Sequence, residues 1–251
     1  MIRTNTLEKL MSYRYEDLAG MIDHSLLNPT MTADICEAGI RVALAYGTAS
    51  VCIMPWYLKR CAELLAGSTV KPSTTIGFPH GGHTAAAKRG EAELALRDGA
   101  VELDMVVNIS AVLSGRWDLV RDDIRGVVDA AHAVGAKAKV IFENCYLKDD
   151  HKIRLCEICG ELRADWVKTS TGYGSSGATD EDLKLMRRHA PACCPGQGRG
   201  RRAYPAALAG SPRPGVTRAG ATATKAILDE ARVTLGLPAI APPVPPVAAR
   251  G

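Results

Sequence analysis

A lysine near the end of a short apolar run is the residue with the clearest chemistry in this sequence. Lys168 lies within the β-like run Trp166 to Ser170, and hydroxyl residues and glycines follow it as far as Gly177. Burial beside another cation favours the neutral form of a lysine, and only a free amine can attack a carbonyl carbon. Lys168 is therefore a candidate for Schiff-base formation. The alternative, equally open at this point, is a lysine that extends from a strand end into solvent.

Acidic residues occupy alternate positions in another β-like run, from Val101 to Asn108. The odd-numbered positions of this run are apolar, whereas the even-numbered positions include Glu102 and Asp104. Successive side chains of a strand point to opposite faces, so the two acids share the face that a parallel barrel turns inward. A buried carboxylate needs a cationic partner. Asp104 is therefore a candidate for proton transfer beside Lys168, unless both acids lie on a strand edge and face water.

The glycine-rich run from Gly172 to Gly177 formally matches a dinucleotide-binding pattern. It follows the sixth β-like run instead of the first, and a stretch rich in Gly, Pro and Arg stands where that pattern requires an acid. We therefore favour a bed of backbone N–H groups that binds a phosphate, completed by the turn before the last helix. The predicted substrate-binding and phosphate-binding residues are Thr171, Gly172, Gly174, Gly220 and Thr222.

Histidine and cysteine pairs in this sequence lack the pattern of a metal site. His80 and His83 are close together, but no further ligands follow at metal-binding spacing, so a role in a loop or helix start is favoured. Cys156 and Cys159 lie within a helical pattern and are interpreted as core residues. The eight cysteines have no framework spacing, which indicates reduced thiols.

Short apolar runs alternate with amphipathic helical patterns along most of the chain. This alternation is typical of parallel βα units, and six units by about residue 190, with one strand and one helix still to come, project to about eight. That number in 251 residues favours an α/β fold of the (β/α)8 TIM-barrel class, with a flavodoxin-like open sheet as the alternative. The predicted strands are Gly20–Asp23, Ala49–Met54, Thr74–Phe78, Val101–Asn108, Ala138–Glu143, Trp166–Ser170 and Val216–Ala221. The predicted helices are Thr32–Tyr46, Tyr57–Ala66, Thr84–Asp98, Leu119–Val134, Asp149–Leu162, Thr179–His189 and Thr224–Leu235.

The composition fits one domain and a short tail. We expect the barrel domain over residues 1–236 and a flexible Pro/Ala-rich tail over residues 237–251. The chain is 47% hydrophobic and 23% charged, which excludes disorder of the whole chain. Apolar stretches end well before the roughly 20 residues of a membrane span, and the first residues lack a leader pattern. We therefore expect a cytoplasmic protein without a membrane partner.

The net charge of +4 comes from one segment of the chain. Nine of the 31 basic residues lie between Leu183 and Leu228, where the sequence has no acid, and the remainder is mildly acidic. A general electrostatic surface for nucleic acid is therefore not supported. A nucleic-acid-binding module that uses Arg199, Arg201 and Arg202 is an alternative, although no aromatic platform accompanies these charges.

Six motifs together resemble the deoxyribose-phosphate aldolase family. They span about residues 14 to 191, and the similarity resumes from Gly215 to Arg232. The resemblance implies a cytoplasmic TIM-barrel class I aldolase that cleaves a phosphosugar, 2-deoxy-D-ribose 5-phosphate, into glyceraldehyde 3-phosphate and acetaldehyde. The motifs are Ile22 to Leu27, Val51 to Ile53, Gly77 to Gly81, Glu102 to Val106, Lys139 to Glu143 and Trp166 to Gly172.

The resemblance also implies roles for individual residues. Lys168 corresponds to the Schiff-base lysine, and Asp104 to a proton donor and acceptor that works through a water molecule. The family uses neither a metal ion nor an organic cofactor, and a homo-oligomer remains open. The positions expected to support the two catalytic residues are Asp23, Cys52, Lys139 and Glu143.

The segment from about Cys193 to Pro214 departs from the family pattern. The family has a seventh strand there with a second lysine and a Gly-Gly pair, whereas this chain has a proline and several glycines, which argues against a strand. Synonymous codons exist for Cys193 to Ala203 that, read one base later, encode Ala-Val-Gln-Val-Lys-Ala-Ala-Gly-Gly-Val-Arg. We interpret the segment as a local frame change, in the gene or in its reading.

The altered segment is expected to lower aldolase activity. The missing lysine is expected near Gln197, which carries no charge and can neither repel the ammonium of Lys168 nor relay a proton. With a malformed seventh strand, the loss in rate is expected to be on the order of 10³-fold or more. The alternative function is therefore a catalytically impaired phosphosugar-binding remnant of the family.

Overall fold

Parallel strands form the frame that positions the predicted site. The computed structural model describes residues 13–190, the backbone of residues 196–199 and residues 216–241. Within these parts, eight strands follow one another along the chain. They are β1 (Ile22–Leu26), β2 (Ser50–Ile53), β3 (Lys71–Ile76), β4 (Glu102–Val106), β5 (Lys137–Ile141), β6 (Trp166–Lys168), β7 (Gly196–Arg199) and β8 (Val216–Ala221).

Each strand pairs in parallel with the strand that follows it in sequence. β8 also pairs with β1, with Gly220 opposite Asp23, so the sheet closes on itself. Parallel neighbours in sequence order are the arrangement that successive βα units produce. The predicted α/β fold with parallel strands is confirmed, and the closure excludes an open flavodoxin-like sheet.

Helices connect most of these strands. Residues 200–215, which join β7 to β8, lie outside the described parts. The helices are α1 (Tyr15–Ala19), α2 (Ala33–Tyr46), α3 (Leu58–Leu65), α4 (Ala85–Arg97), α5 (Ile109–Leu113), α6 (Trp117–His132), α7 (Asp149–Glu161), α8 (Asp180–His189) and α9 (Thr224–Thr234). None of the helices in the described parts is long and apolar enough to cross a bilayer.

Threonines determine where three of the long helices begin. The side chains of Thr32, Thr84 and Thr179 each accept a hydrogen bond from the backbone N–H three residues later. This bond satisfies one of the free N–H groups of the first turn. At the other end of α2, Gly47 has φ +65°, a left-handed conformation that glycine adopts without a steric penalty.

The core lies between the strands and the helices. Leu103 and Met105 of β4 are fully buried and belong to the same apolar cluster as Val127 of α6. Cys156 and Cys159 of α7 are buried in that cluster with free thiols, so their interpretation as core residues is confirmed. The opposite parity of the strands, which carries the polar residues of β4, therefore faces the barrel interior.

The segment Gly196–Arg199 differs from the sequence expectation. Its backbone forms β7, which pairs with β6 on one side and with β8 on the other, with a register irregularity at Gly196 and Gln197. The expectation that no strand forms there is therefore wrong for these four residues. Backbone groups of β6 and β8 need partners, and this need outweighs the weak strand propensity of glycine. The rest of the predicted aberrant segment, and the side chains of β7, lie outside the described residues.

One described residue of the tail, Ile240, packs against the barrel domain. Ile240 is partly buried and packs against a cluster that includes Ile22 and Tyr46. The described tail residues, 237–241, contain neither helix nor strand. Residues 242–251, to which most of the predicted flexible tail belongs, lie outside the described residues.

Candidate active site

Six ionisable side chains meet inside the barrel. All six are buried, and they come from five strands. Each lies at an inward-facing position, as the alternation of polar and apolar residues in β4 predicts. The acids are Asp23 of β1 and Glu102 and Asp104 of β4, and the bases are Lys139 of β5, Lys168 of β6 and Arg218 of β8.

Asp104 lies between two lysines. The Lys168 Nζ donates to one carboxylate oxygen at 2.5 Å, and the Lys139 Nζ donates to the other at 2.7 Å. Burial alone would raise the pKa of Asp104, but the ammonium groups of Lys139 and then Lys168 outweigh burial and lower that pKa below its usual range. The carboxylate is therefore ionised in the presence of both lysines.

Asp23 and Glu102 complete the network through an arginine. Arg218 donates to Glu102 at 3.1 and 2.7 Å and also to Asp23, which accepts a further bond from the Ser50 hydroxyl at 2.6 Å. Lys139 donates to Asp23 at 3.2 Å. Burial would raise the pKa of Asp23, but Lys139 and Arg218 lower it; for Glu102, burial prevails and raises the pKa.

An aromatic ring lies against the cations of this network. Trp166, two residues before Lys168 on the same strand face, is 7% exposed. The Lys139 Nζ lies 5.2 Å from its ring centroid, and the Arg218 Cζ lies 5.0 Å from it. An aromatic face attracts a cation at this distance, so Trp166 helps to hold both side chains in place.

Cys52 of β2 is a buried thiol beside the network. Burial and then the negative charge of Asp104 raise its pKa to about 12. It is therefore a neutral thiol near neutral pH and contributes shape instead of charge. A neutral thiol is a poor nucleophile, so the thiol is not a competitor of Lys168 for a carbonyl carbon.

Hydrogen bonds connect the loop after β6 to Glu143, which follows β5. Glu143 has φ +57° and accepts hydrogen bonds from the backbone N–H of Thr171, at 3.2 Å, and from the Thr171 hydroxyl. The same hydroxyl accepts from the backbone N–H of Tyr173 at 3.0 Å. Gly172 has φ +90°, and a Cβ on Gly174 would lie 2.7 Å from the Cys145 Sγ. The loop is therefore fixed in one conformation by close contacts.

The same loop reaches across to two other strand ends. The Tyr173 hydroxyl donates to the Leu27 carbonyl, just after β1, at 2.6 Å. The Tyr173 ring makes an edge contact with Phe78, in the loop after β3, with 5.4 Å between centroids. The carboxyl ends of β1, β3 and β6 thus come together at one edge of the barrel.

The predicted phosphate residues of β8 lie at the carboxyl end of that strand. Gly220 is within β8, and Thr222 follows it directly before α9. Thr222 lines a cavity of about 560 Å³ between α2 and α9, together with His24, whose side chain faces the helices. That cavity is distinct from the charged interior, because His24 and Asp23 point to opposite faces of β1.

The structure thus brings some predicted residues together and separates others. Lys168 and Asp104 are in direct contact, with Lys139 and Asp23 in the same network. Glu143 and Thr171 form a second group at the loop. His80 and His83 lie in the loop after β3, and the described residues contain no group of three or more side chains that could hold a metal ion.

Arg218 is a site residue that sequence reasoning missed. The sequence pattern treats Arg218 only as one of nine basic residues in a segment without acids. Its position within the predicted strand Val216–Ala221 could have identified it, because Arg218 and Gly220 are alternate residues on the face that points into the barrel. An arginine at an inward strand position indicates a buried acidic partner. Ser50 and Trp166 were missed because their side chains carry no charge.

The arrangement has the parts needed for carbonyl chemistry. A primary amine at a strand end can condense with an aldehyde, and a carboxylate in contact with that amine can accept or supply a proton. The other four charged groups, Asp23, Glu102, Lys139 and Arg218, are paired with one another. Asp104 can therefore stabilise a cationic nitrogen at position 168. The loop after β6 and the turn after β8 offer backbone N–H groups to an anionic part of a ligand.

Comparisons with known proteins agree with this chemistry. Residues 18–233 match the model of the DeoC/LacD family of aldolases. The chain is 58% identical over 231 residues to deoxyribose-phosphate aldolase from Rhodopirellula baltica, covering 92% of this chain and 96% of that protein. It is 46% identical over 171 residues to deoxyribose-phosphate aldolase from Aciduliprofundum boonei, covering 68% and 77%.

A solved structure resembles the whole fold. The tetrameric deoxyribose phosphate aldolase from Aeropyrum pernix is 28% identical and superposes with a TM-score of 0.80, covering 90% of this chain and 96% of that chain. A second aldolase structure, QR15, is 31% identical with a TM-score of 0.79, covering 85% and 95%. The similarity in fold therefore extends beyond the charged interior.

Proposed function

The chain belongs to the DeoC/LacD family of aldolases, and from that membership we propose that it cleaves 2-deoxy-D-ribose 5-phosphate reversibly into glyceraldehyde 3-phosphate and acetaldehyde. The observation that carries this proposal is the contact of 2.5 Å between the Lys168 amine and the Asp104 carboxylate inside the barrel. The fold is assigned to the (β/α)8 TIM-barrel class, in which the carboxyl ends of the strands form the active face.

In the proposed reaction, the neutral amine of Lys168 attacks the aldehyde carbon of the open-chain sugar. Asp104 returns the proton that it took from the ammonium of Lys168, the hydroxyl of the carbinolamine leaves as water, and a protonated imine remains. The C2–C3 bond then breaks: its electron pair moves toward the iminium nitrogen to give an enamine, the C3 hydroxyl loses its proton, and glyceraldehyde 3-phosphate departs. Protonation at C2 and addition of water release acetaldehyde and restore the amine.

Asp104 is the proposed proton carrier for these steps. Its carboxylate is in contact with the nitrogen of Lys168 and is held ionised by Lys139. A carboxylate in this position takes a proton from the nucleophile or, through a water molecule, from the C3 hydroxyl. Because the iminium carries the same charge as the ammonium that it replaces, the three acids and three bases of the network remain balanced.

The phosphate is proposed to bind at the ends of β6 and β8. The predicted ligands are the loop residues Thr171, Gly172 and Gly174, with Gly220 near the end of β8 and Thr222 after it. The Thr171 N–H already donates to Glu143, so Gly172 and Gly174 are the loop residues proposed to offer N–H groups. The Thr171 hydroxyl is occupied by Glu143, so the backbone of this loop is the expected ligand. Phosphate binding holds the sugar in register with Lys168, which lowers the entropic part of the barrier.

A catalytically impaired phosphosugar-binding protein is the second candidate. One observation favours it: Gln197, an uncharged residue, stands in register with Lys168 where the family pattern has its second lysine. In this case the phosphosugar binds but turnover stays at background. The side chains of Arg199, Arg201 and Arg202, on which the nucleic-acid alternative depends, lie outside the described residues.

The proposal extends to the setting of the reaction. The partner is a small phosphosugar, and we expect neither nucleic acid nor a membrane to take part. We place the protein in the cytoplasm and expect a homo-oligomer, as in the tetrameric Aeropyrum pernix enzyme. The proposed imine steps use side chains of the barrel interior, and the proposed mechanism includes no metal ion or organic cofactor.

Borohydride trapping tests the proposed function. The full-length protein is incubated with 2-deoxy-D-ribose 5-phosphate and borohydride, and the modified peptide is identified by mass spectrometry. We expect one reduced adduct on Lys168, absent in Lys168→Met, together with release of glyceraldehyde 3-phosphate in an untrapped sample. An adduct without turnover supports the impaired protein, and the absence of any adduct on Lys168 overturns the imine mechanism.

A further inference from the structure

The two lysines bound to Asp104 have unequal surroundings. Lys139 lies 2.7 Å from Asp104, 3.2 Å from Asp23 and 3.9 Å from Glu102. Among the residues whose side chains the structure describes, Lys168 forms an ion pair with Asp104 alone. Three carboxylates therefore stabilise the ammonium form of Lys139. Only Asp104, which Lys139 shares, does so for Lys168 among the described side chains.

We propose that Lys139 is the cation that makes the Lys168 amine available for imine formation. This role rests on the proposed function, because it matters only if Lys168 attacks a carbonyl carbon. Lys139 acts as a positioning residue: it occupies the second oxygen of Asp104 and places a permanent positive charge beside Lys168.

Competition for one carboxylate is the first reason for this assignment. An ion pair with a buried carboxylate favours the ammonium form of a lysine, which cannot attack a carbonyl. Asp104 divides its charge between two donors, at 2.7 and 2.5 Å, so neither lysine has the full attraction of the carboxylate. Repulsion between the two ammonium groups further favours the loss of one proton.

The surroundings decide which lysine loses that proton. Burial by itself would lower the pKa of Lys139, but Asp104, Asp23 and Glu102 raise it above its ordinary value. The surroundings of Lys139 therefore favour its ammonium form. Lys168 has a single described ion pair, to the shared Asp104, so fewer carboxylates hold an ammonium at that position.

Every ionisable side chain described around Lys168 enters this balance. Acids near the pair favour the ammonium form, and bases favour the free amine. Cys52 is neutral near pH 7, because burial raises the pKa of its thiol to about 12. The groups are Asp104 and Glu102 of β4, Lys139 of β5, Asp23 of β1, Arg218 of β8 and Cys52 of β2.

The pH dependence of imine trapping tests the proposal. Acetaldehyde and cyanoborohydride are added to the full-length protein, and the adduct on Lys168 is measured against pH. In Lys139→Met, we expect the pH midpoint of trapping to rise by about one unit or more, which corresponds to about tenfold less adduct at a pH below the midpoint. In Lys139→Arg, which keeps the charge, the midpoint stays near that of the unmodified protein.

A second variant changes the charge in the opposite direction. Asp23→Asn removes one acid from around Lys139, so the midpoint should fall. A general loss of structure cannot move the midpoint up in one variant and down in the other. If Lys139→Met does not fold, Lys139→Gln, which also removes the charge, replaces it.

Two outcomes overturn the proposal separately from the proposed function. A midpoint that is unchanged or lower in Lys139→Met, while Lys168 is still trapped, shows that Lys139 does not assist the amine. An unchanged or lower midpoint in Lys139→Gln leads to the same conclusion. If the unmodified protein forms no adduct on Lys168 at any pH, the proposed function itself fails and the role of Lys139 falls with it.

Discussion

Lys168 and Gln197 stand in register on the neighbouring strands β6 and β7. In this parallel pairing, position 197 is the place on β7 whose backbone lies opposite that of Lys168. The family pattern has a lysine in this strand, and this chain has an uncharged amide.

A lysine at position 197 is expected to increase activity. In Gln197→Lys, a second ammonium beside Lys168 favours the free amine by repulsion, in addition to the effect of Lys139. We expect about tenfold more imine adduct at neutral pH, because one unit in midpoint corresponds to a factor of ten in free amine. Gln197→Met, which adds a chain of similar length without charge, is the matched control. Equal adduct formation in both variants would show that charge at this position is irrelevant.

Resequencing of the gene tests the frame interpretation itself. If the segment from about Cys193 to Pro214 arose from a frame change in the reading of the gene, the corrected sequence should encode a lysine near position 197 and a Gly-Gly pair after it. A gene that encodes the present residues without correction locates the change in the gene itself. Codons for the present residues that yield no such lysine in the shifted frame would exclude a frame change altogether.

Alternation in β4 predicted that Asp104 faces the barrel interior, where it contacts Lys168. The alternation determines which face of β4 carries the acids. When parallel strands close into a barrel, that face points into the interior, where basic side chains of other strands can pair with the acids. The partners of Lys139 could not be predicted in the same way. Glu102 lies on the neighbouring strand β4, but Asp23 belongs to β1, far from β5 in sequence, so its contact with Lys139 depends on how the barrel closes.

The bounds of the first strand could not be predicted from its apolar residues alone. Its predicted bounds are Gly20–Asp23, whereas β1 spans Ile22–Leu26. His24 and Ser25 end the apolar pattern, yet both are buried, and the Nδ1 of His24 lies 2.7 Å from the Thr224 hydroxyl. A buried polar residue whose partner is 200 positions away interrupts a local pattern without ending the strand.

A buried ion pair fixes the end of the strand that carries Asp104. The Lys88 Nζ donates to the Val106 carbonyl at 2.7 Å and to Asp123 at 2.6 Å. Lys88→Met leaves the Asp123 carboxylate buried without its cation, which should lower the free energy of unfolding by about 3–5 kcal/mol. Urea unfolding measures this loss, and aldolase activity should fall with it as the end of β4 loosens.

The double variant separates charge from packing. Lys88→Met combined with Asp123→Leu removes both charges, and most of the lost stability should return, because an apolar pair of similar volume is often no worse than a buried ion pair. Arg89→Met is the control on the same helix. Its partner Glu93 is exposed, so stability should change by less than about 1 kcal/mol. A double variant as unstable as Lys88→Met would contradict the assignment.

The loop after β6 gives a prediction about the phosphate. A Cβ on Gly174 would lie 2.7 Å from the Cys145 Sγ and 3.1 Å from the Glu143 carboxylate, so Gly174→Ala displaces the acceptor that holds Thr171. We expect KM for 2-deoxy-D-ribose 5-phosphate to rise about tenfold, since small displacements of binding groups have effects of this size. The kinetics of the unphosphorylated sugar should change much less.

Gly82→Ala is the matched control for that experiment. A Cβ on Gly82 would have no neighbour within 4 Å among the described residues, and its φ lies outside the left-handed region. Its kinetic constants for both sugars should stay close to those of the unmodified protein. A similar rise in KM for both sugars in Gly174→Ala would show that the loop supports the barrel in general and does not select the phosphate.

His24 predicts a loss of stability in mild acid. Burial lowers its pKa from 6.5 to about 4, because the imidazole is enclosed between β1 and the helices. The unfolded chain therefore binds a proton at a higher pH than the folded protein does, and stability falls as the pH decreases from about 6.5 toward 4. A difference of about 2.5 units is worth up to about 3 kcal/mol, most of it lost by pH 4.5. Urea unfolding at several pH values between 7 and 4.5 measures the loss.

His24→Asn isolates this contribution from the other titrating groups. The asparagine amide is placed to retain a hydrogen bond with the Thr224 hydroxyl, which the imidazole contacts at 2.7 Å. Because Asp23 and Asp104 have lowered pKa values, their contributions are lost only below the usual carboxyl range, outside the window of the experiment. The difference in unfolding free energy between the unmodified protein and His24→Asn should therefore shift by about 2–3 kcal/mol between pH 7 and 4.5, in favour of the variant in acid. A difference that stays constant across this range would mean that His24 is protonated in the folded protein or that the barrel opens around it.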